Sequence, residues 1–249
     1  MFSKLLKYEL KFVGKWYFAL NTGLLLIAAL LGFVIKSLDT NPQSMNEIIP
    51  FFLFLILGAL IASSWLATIT IIVKRFYSHI FGREGYLTLT LPVSIHQIII
   101  SKLLVSVLWS IFNTLVILIS IGLLFLPSVG IKETLIFLPS INDVLPFNNL
   151  LLLIFYTFMS NISGNLLIYF ALSIGQLFSD HRILMSFVAY FSIIIALILF
   201  TTPLLEKFMP YDDLFSTPFF IYYILAFVIE SSIFYFGTAY IIKNKLNLQ

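Results

Sequence analysis

Glu230 is the acidic residue whose position most strongly indicates chemistry. It lies between Val228-Ile229 and Ser231-Ser232, near the middle of the apolar stretch 218–242. Insertion scales give a charged residue at the centre of a bilayer a cost of about 3 kcal/mol. We therefore expect one of two roles. Glu230 either faces a transport pathway as a substrate-contacting or gating group, or it is a protonated carboxyl hydrogen-bonded to an Asn, Ser or Tyr of a neighbouring helix.

No other pattern predicts catalysis or metal binding. The chain has no cysteine, and the spacing of its three histidines, His79, His96 and His181, matches no zinc site. Apart from Glu230, the centres of the apolar stretches carry no His, Asp, Lys or Arg. An intramembrane enzyme would therefore lack both a nucleophile–base pair and metal ligands. We predict no catalytic residue and no metal site.

Residues 74–98 link the second and third apolar stretches and form the most informative segment. Two charged residues, Arg83 and Glu84, precede an apolar group before Pro92 interrupts the element. This group comprises Tyr86, Leu87, Leu89 and Leu91. The alternation of apolar and polar residues favours a short helix at the membrane surface. Such a helix is either a docking site for a soluble partner or an ordinary interfacial helix with solvated charges.

Residues 1–15 have the pattern of an amphipathic helix in the membrane interface. One face of the helical wheel is apolar and carries Phe2, Leu5, Leu6, Leu10, Phe12 and Val13, whereas the other carries Lys4, Lys7, Lys11 and Lys15. Glu9 falls within the apolar arc, where an unpaired charge is costly. We expect Glu9 to be protonated or to have a basic partner.

The elements that position these residues are membrane-spanning helices. Of the 249 residues, 61% are hydrophobic and only 10% are charged, far from the composition of a soluble domain. A bilayer core needs about 20 apolar helical residues to cross it. Six stretches meet that requirement, namely 16–35, 50–73, 103–126, 150–178, 183–204 and 218–242. We predict a single all-α integral membrane domain over residues 1–249.

The basic residues predict that both termini are cytoplasmic. With this orientation, only Lys36, Lys132 and Lys207 of the 14 Lys and Arg residues fall on the opposite side. This is the distribution that the positive-inside rule describes, and it requires an even number of spans. The charge of +3 is too small to imply binding to nucleic acid.

The fourth stretch carries small residues at helical spacing. They are Ser160, Gly164, Ala171 and Gly175. Small residues let helix backbones approach closely within lipid. We expect this stripe to mediate packing within the chain rather than between two chains.

Two segments resemble a known family. The run GREGYLTLTLPVSIHQIIISKLL, residues 82–104, resembles the coupling-helix region of permeases from type-two ATP-binding-cassette (ABC) exporters. In that region a Glu, a Gly, a leucine-rich turn and a Pro precede a small residue with Lys. Here the first two are Glu84 and Gly85, and Ser101 with Lys102 opens the third span. The run LLKYELK, residues 5–11, is similar to the amphipathic connecting helix of the same family.

The resemblance implies an exporter permease with six spans, an N-terminal connecting helix (1–15, with Lys7, Glu9 and Lys11) and a cytoplasmic coupling segment (74–98). ATPase subunits would contact this chain at Arg83, Glu84, Gly85, Tyr86 and Leu87. A second permease chain, identical or homologous, would complete the pathway. The family's re-entrant helical pair between spans five and six would be reduced, because residues 201–217 are few.

The resemblance also implies where ATP is bound, and a cavity lined mainly by Phe, Leu and Ile would suit a particular class of substrate. The one Gly-Lys pair, Gly14-Lys15, is followed by Trp16, so this chain lacks a phosphate-binding loop. We therefore expect no cofactor on this chain, with ATP and Mg on the partner ATPase. The substrate would be amphipathic or hydrophobic: a peptide, such as an antimicrobial peptide, a drug or a lipid-like molecule. The expected location is a bacterial plasma membrane.

Two other classes stay open. A proton-coupled secondary transporter would use Glu230 as a lone proton site, although the sequence shows neither inverted repeats nor interrupted spans. An intramembrane enzyme is less consistent with the sequence, for the reasons given above.

Overall fold

The computed structural model describes residues 15–40, 48–82, 85, 94–130, 146–208 and 216–245. Six helices lie within these ranges, and the same ranges contain no strand. The helices are α1 (Lys15–Thr40), α2 (Ile48–Ile80), α3 (Ile95–Val129), α4 (Phe147–Gly175), α5 (Arg182–Phe208) and α6 (Thr217–Asn244). Each is long and apolar enough to cross a membrane. The prediction of an all-α chain with six spans is confirmed for these residues.

The helix ends differ from the predicted spans. α2 continues to Ile80 and α3 begins at Ile95, so residues 74–80 and 95–98 of the expected coupling segment are the ends of membrane-spanning helices. By contrast, residues 176–178, predicted as helix, form a turn after Gly175. Hydropathy reports the thickness of the apolar layer, whereas a helix ends where its hydrogen bonds end.

The first turn of α3 is fixed by a capping box. The backbone N–H of Gln97 donates to Ser94 Oγ at 3.3 Å, and the backbone N–H of Ser94 donates to Gln97 Oε1 at 3.4 Å. These two bonds satisfy N–H groups that a helix start leaves without intrahelical partners. The capping box sets the start of α3.

The chain packs as two compact units, and α2 and α3 each contribute to both. The smaller unit contains residues 15–40, 48–71 and 108–130. Its buried apolar contacts join Ala28 and Leu31 of α1 to Leu57 of α2 and Leu124 of α3. A second cluster places Tyr17 of α1 beside Ala67 of α2 and Trp109 of α3. As numbering rises along α1, the contacted residues fall along α2 and rise along α3. The three helices therefore alternate in direction, as consecutive membrane crossings require.

The larger unit contains residues 72–82, 85, 94–107, 146–208 and 216–245. Its core joins the end of α2 and the start of α3 to α4 and α6 through buried residues that include Phe76, Ile99, Tyr169, Phe234 and Ile242. α4 packs against both α5 and α6. Lipid tails are as apolar as these side chains, so the contacts stabilise the unit through close packing rather than removal from water.

Candidate functional site

Glu230 is tied to the fourth helix by a hydrogen bond. Ser163 Oγ on α4 donates to Glu230 Oε2 on α6 at 2.9 Å. Ser163 is buried and Glu230 is half-buried. The structure thus provides the partner class expected from sequence, a serine of a neighbouring helix. A role for Glu230 in a transport pathway stays a prediction.

The Ser163–Glu230 pair lies within a regular seam between α4 and α6. Seven residues before Ser163, Tyr156 contacts a group of aromatic rings on α6, which are Phe219, Phe220, Tyr223 and Phe227. Seven residues after Ser163, Phe170 stacks on Phe234 with ring centroids 5.6 Å apart. Contacts that rise together along both helices show that α4 and α6 run parallel. A seven-residue repeat is typical of helices that pack along a continuous seam.

Two hydroxyl groups of α6 are buried and have no hydrogen-bond partner within the described residues. They are Ser231 Oγ, next to Glu230, and Thr238 Oγ1. Most buried polar groups are paired, because an unpaired one costs free energy. α6 therefore carries the Glu230 carboxyl together with two hydroxyl groups that can each form a further hydrogen bond.

Of the five residues predicted to contact the ATPase, the structure describes Gly85. Its N–H donates to the carbonyl of Gly82 at 2.9 Å, and the N–H of Gly82 donates to the carbonyl of Tyr77 at 2.9 Å. These bonds link Gly85 to Gly82 and Gly82 to the end of α2. Gly85 is buried, and a β-carbon there would overlap the carbonyl of Ile80. Only glycine fits without a shift of the backbone.

The other predicted coupling residues, Arg83, Glu84, Tyr86 and Leu87, lie outside the described residues, as do Lys7, Glu9 and Lys11 of the connecting helix. Their roles stay predictions.

Two basic residues that the charge distribution assigns to the cytoplasmic side are buried inside helices. Arg75 of α2 is 5% exposed and Lys102 of α3 is 3% exposed. Helical periodicity could have indicated the burial of Lys102 from the sequence. Lys102 shares a face with the buried residues Ile98, Ile99 and Val105, which precede or follow it by three or four positions. Sequence reasoning assigned both cations by charge alone and so missed their burial.

His96 has a specific partner rather than water alone. Its Nδ1 lies 2.8 Å from the hydroxyl of Tyr235, which joins the first turn of α3 to α6. The part of the chain that the structure describes contains no cluster of three His, Cys, Asp or Glu residues able to hold a metal ion.

The smaller unit contains a buried polar network that sequence reasoning did not identify. Ser64 Oγ of α2 lies within hydrogen-bonding distance of the amide oxygens of Asn21 in α1 and Asn113 in α3. One turn away, the hydroxyls of Tyr17 and Thr68 are 2.9 Å apart. The network links α1, α2 and α3 at a level where lipid provides no hydrogen bonds.

Comparison of the chain with protein-family models, with curated proteins and with solved structures gave no match.

Proposed function

We propose that this chain is the permease subunit of an ATP-driven exporter of the type-two ABC class. The observation that carries the proposal is the turn after α2, in which Gly85 packs against the carbonyl of Ile80. This Gly belongs to the run that resembles a coupling helix, and its packing holds Gly85 against the end of a membrane-spanning helix. A docking segment needs such an attachment in order to transmit force to a span.

In this proposal, ATPase subunits bind ATP and Mg and contact the permease at Arg83, Glu84, Gly85, Tyr86 and Leu87. A second permease chain completes the pathway. Both termini are cytoplasmic, the membrane is a bacterial plasma membrane, and residues 1–15 form the connecting helix. The substrate is amphipathic or hydrophobic. The support for the orientation is the distribution of Lys and Arg, which places the ends of α2 and α4 on the same side.

Charge reversal at Glu84 tests the docking segment. The complex of permease and ATPase is purified and reconstituted, and ATP hydrolysis is measured beside transport. We expect Glu84→Lys to assemble but to hydrolyse ATP without transport. The matched control is Asp180→Lys, a reversal at an exposed acidic residue in the turn between α4 and α5, which should leave coupling intact. Normal coupling in Glu84→Lys, or labelling that places residues 79–96 on the external face, would overturn the proposal.

A second candidate function is proton-coupled transport through Glu230. The observation that favours it is the half-buried carboxyl on α6, which accepts a hydrogen bond from Ser163. In proteoliposomes without ATP, a pH gradient would then drive uptake, and Glu230→Gln would abolish it. Transport that needs ATP and ignores the gradient would exclude this candidate.

A further inference from the structure

An open groove of about 830 Å³ lies where α4 ends and α5 begins. Its polar part is formed by Tyr77, Ser179, His181 and Arg182, and its apolar part by Ile183, Leu184 and Phe187. The three apolar side chains are each more than half exposed. A cationic end and an apolar end thus adjoin within one depression.

The turn beside the groove is held closely. A β-carbon on Gly175 would lie 2.6 Å from the carbonyl oxygen of Arg182 and would overlap the hydroxyl of Ser186. His181 adopts a left-handed backbone conformation with φ of 52°, which few residues other than glycine adopt. Its carbonyl accepts a hydrogen bond from the N–H of Met185 at 2.9 Å. Because these contacts fix the backbone of the turn, the side chains of His181 and Arg182 extend from defined backbone positions beside the groove.

The charge of the groove is positive. Arg182 contributes a guanidinium to the groove, and no Asp or Glu is among the described residues that line it. The nearest acidic residue in sequence, Asp180, accepts a hydrogen bond from Ser179 at 3.5 Å and does not line the groove. The depression therefore suits an anion that also carries an apolar part.

The groove lies at the membrane boundary, since the fourth span ends at Gly175 and the fifth begins at Arg182. The distribution of basic residues places this boundary on the cytoplasmic side, where anionic lipids concentrate. We propose that the groove binds an anionic phospholipid of the inner leaflet. The phosphate contacts Arg182 and His181, and the acyl chains lie along Ile183, Leu184 and Phe187. This inference requires a membrane-spanning chain and the proposed orientation but no particular transport class, so it is tested separately from the exporter assignment.

Native mass spectrometry of the full chain tests the proposal. The protein is purified in detergent with equimolar phosphatidylglycerol and phosphatidylcholine, and the retained lipids are counted. We expect the wild type to retain phosphatidylglycerol preferentially, and Arg182→Gln to reduce that preference about fivefold, the factor expected for one cation near a lipid surface. Lys243→Gln, which removes an exposed charge from the end of α6 outside the groove, should retain the wild-type preference.

A second variant and a competition with inorganic phosphate complete the test. His181→Asn removes the imidazole but keeps a residue type that tolerates the left-handed conformation. This variant should also lower the preference for phosphatidylglycerol, and it replaces Arg182→Gln in the test if Arg182→Gln does not fold. Inorganic phosphate is then added to the wild type. If phosphate alone displaces phosphatidylglycerol, the groove is a site for free anions and the lipid assignment is wrong. Equal preference in wild type and Arg182→Gln, or no preference in the wild type, also overturns it.

Discussion

The ring of Phe76 in α2 stacks on the ring of Tyr169 in α4, with centroids 3.9 Å apart and planes 7° from parallel. Both rings are almost completely buried, and the Tyr169 hydroxyl is also hydrogen-bonded to Ser106 of α3. Tyr169 therefore joins three helices of the larger unit in one place.

We expect this stack to show measurable coupling in a double-mutant cycle. Phe76→Leu and Tyr169→Leu each keep an apolar side chain but remove a ring, and the pair should deviate from additivity by about 0.5–1.5 kcal/mol in the free energy of unfolding. Reversible unfolding in detergent measures it. The control pairs Tyr169→Leu with Phe200→Leu, at an exposed position of α5, and should be additive. Additivity in both cycles would show that the stack contributes nothing beyond burial.

Ser163→Ala and Glu230→Gln separate structural from transport roles of the α4–α6 seam. Ser163→Ala removes the donor and should lower the free energy of unfolding by about 0.6 kcal/mol, the average for such bonds between membrane helices. Glu230→Gln keeps an oxygen that accepts from Ser163 and should lose less stability. If Glu230 faces a pathway, Glu230→Gln should still impair transport. Unchanged transport over a broad pH range, together with lower thermal stability, would leave Glu230 with a structural role alone.

Gly175→Ala should be costly, whereas Gly164→Ala on the same helix should not. A β-carbon at Gly175 meets the backbone of α5, while at Gly164 nothing lies within 4 Å. Overpacking of this kind costs about 1–3 kcal/mol. Thermal unfolding of the two variants in the same detergent compares them directly. Equal melting temperatures would mean that the α4–α5 turn adjusts without cost.

Gly85→Ala should displace the segment after α2, because the added methyl group overlaps the carbonyl of Ile80. We expect a loss of about 1–3 kcal/mol and, in the reconstituted complex, weaker coupling of ATP hydrolysis to transport. Gly58→Ala in α2 provides the control, since its β-carbon would have open space. A stable Gly85→Ala protein with normal coupling would contradict both the packing argument and its link to docking.

Ser64→Ala should weaken the smaller unit, since it removes the hydroxyl that faces both Asn21 and Asn113. The hydroxyl has one proton to donate, so a single bond of about 0.6 kcal/mol sets the expected scale. Thr70→Ala removes a hydroxyl that bonds only to the carbonyl of Leu66 on its own helix at an exposed position, and should have little effect. The readout is again the free energy of unfolding. Similar losses in the two variants would exclude a linking role for the network.

The spans could be predicted because lipid imposes one simple requirement, a long helix without charge. Contacts between the spans could not, because they depend on which faces meet. Glu230 illustrates both cases: its need for a polar partner follows from its depth, whereas the choice of Ser163 follows from the register of α4 against α6. Arg75 and Lys102 were assigned to the cytoplasmic side by their charge, which did not reveal that both side chains are buried. Lys7, Glu9, Lys11 and Glu84 lie outside the described residues, so the roles expected for them stay predictions.

The short turn after Gly175 also bears on how the chain enters the bilayer. Among the described spans, the fourth is the least apolar and the fifth is the most apolar. Only residues 176–181 separate α4 from α5, which is too short a tether for one to partition into lipid while the other stays behind in the insertion machinery. We therefore expect the two to insert together as a helical hairpin during biosynthesis, with the more apolar fifth helix assisting the less apolar fourth.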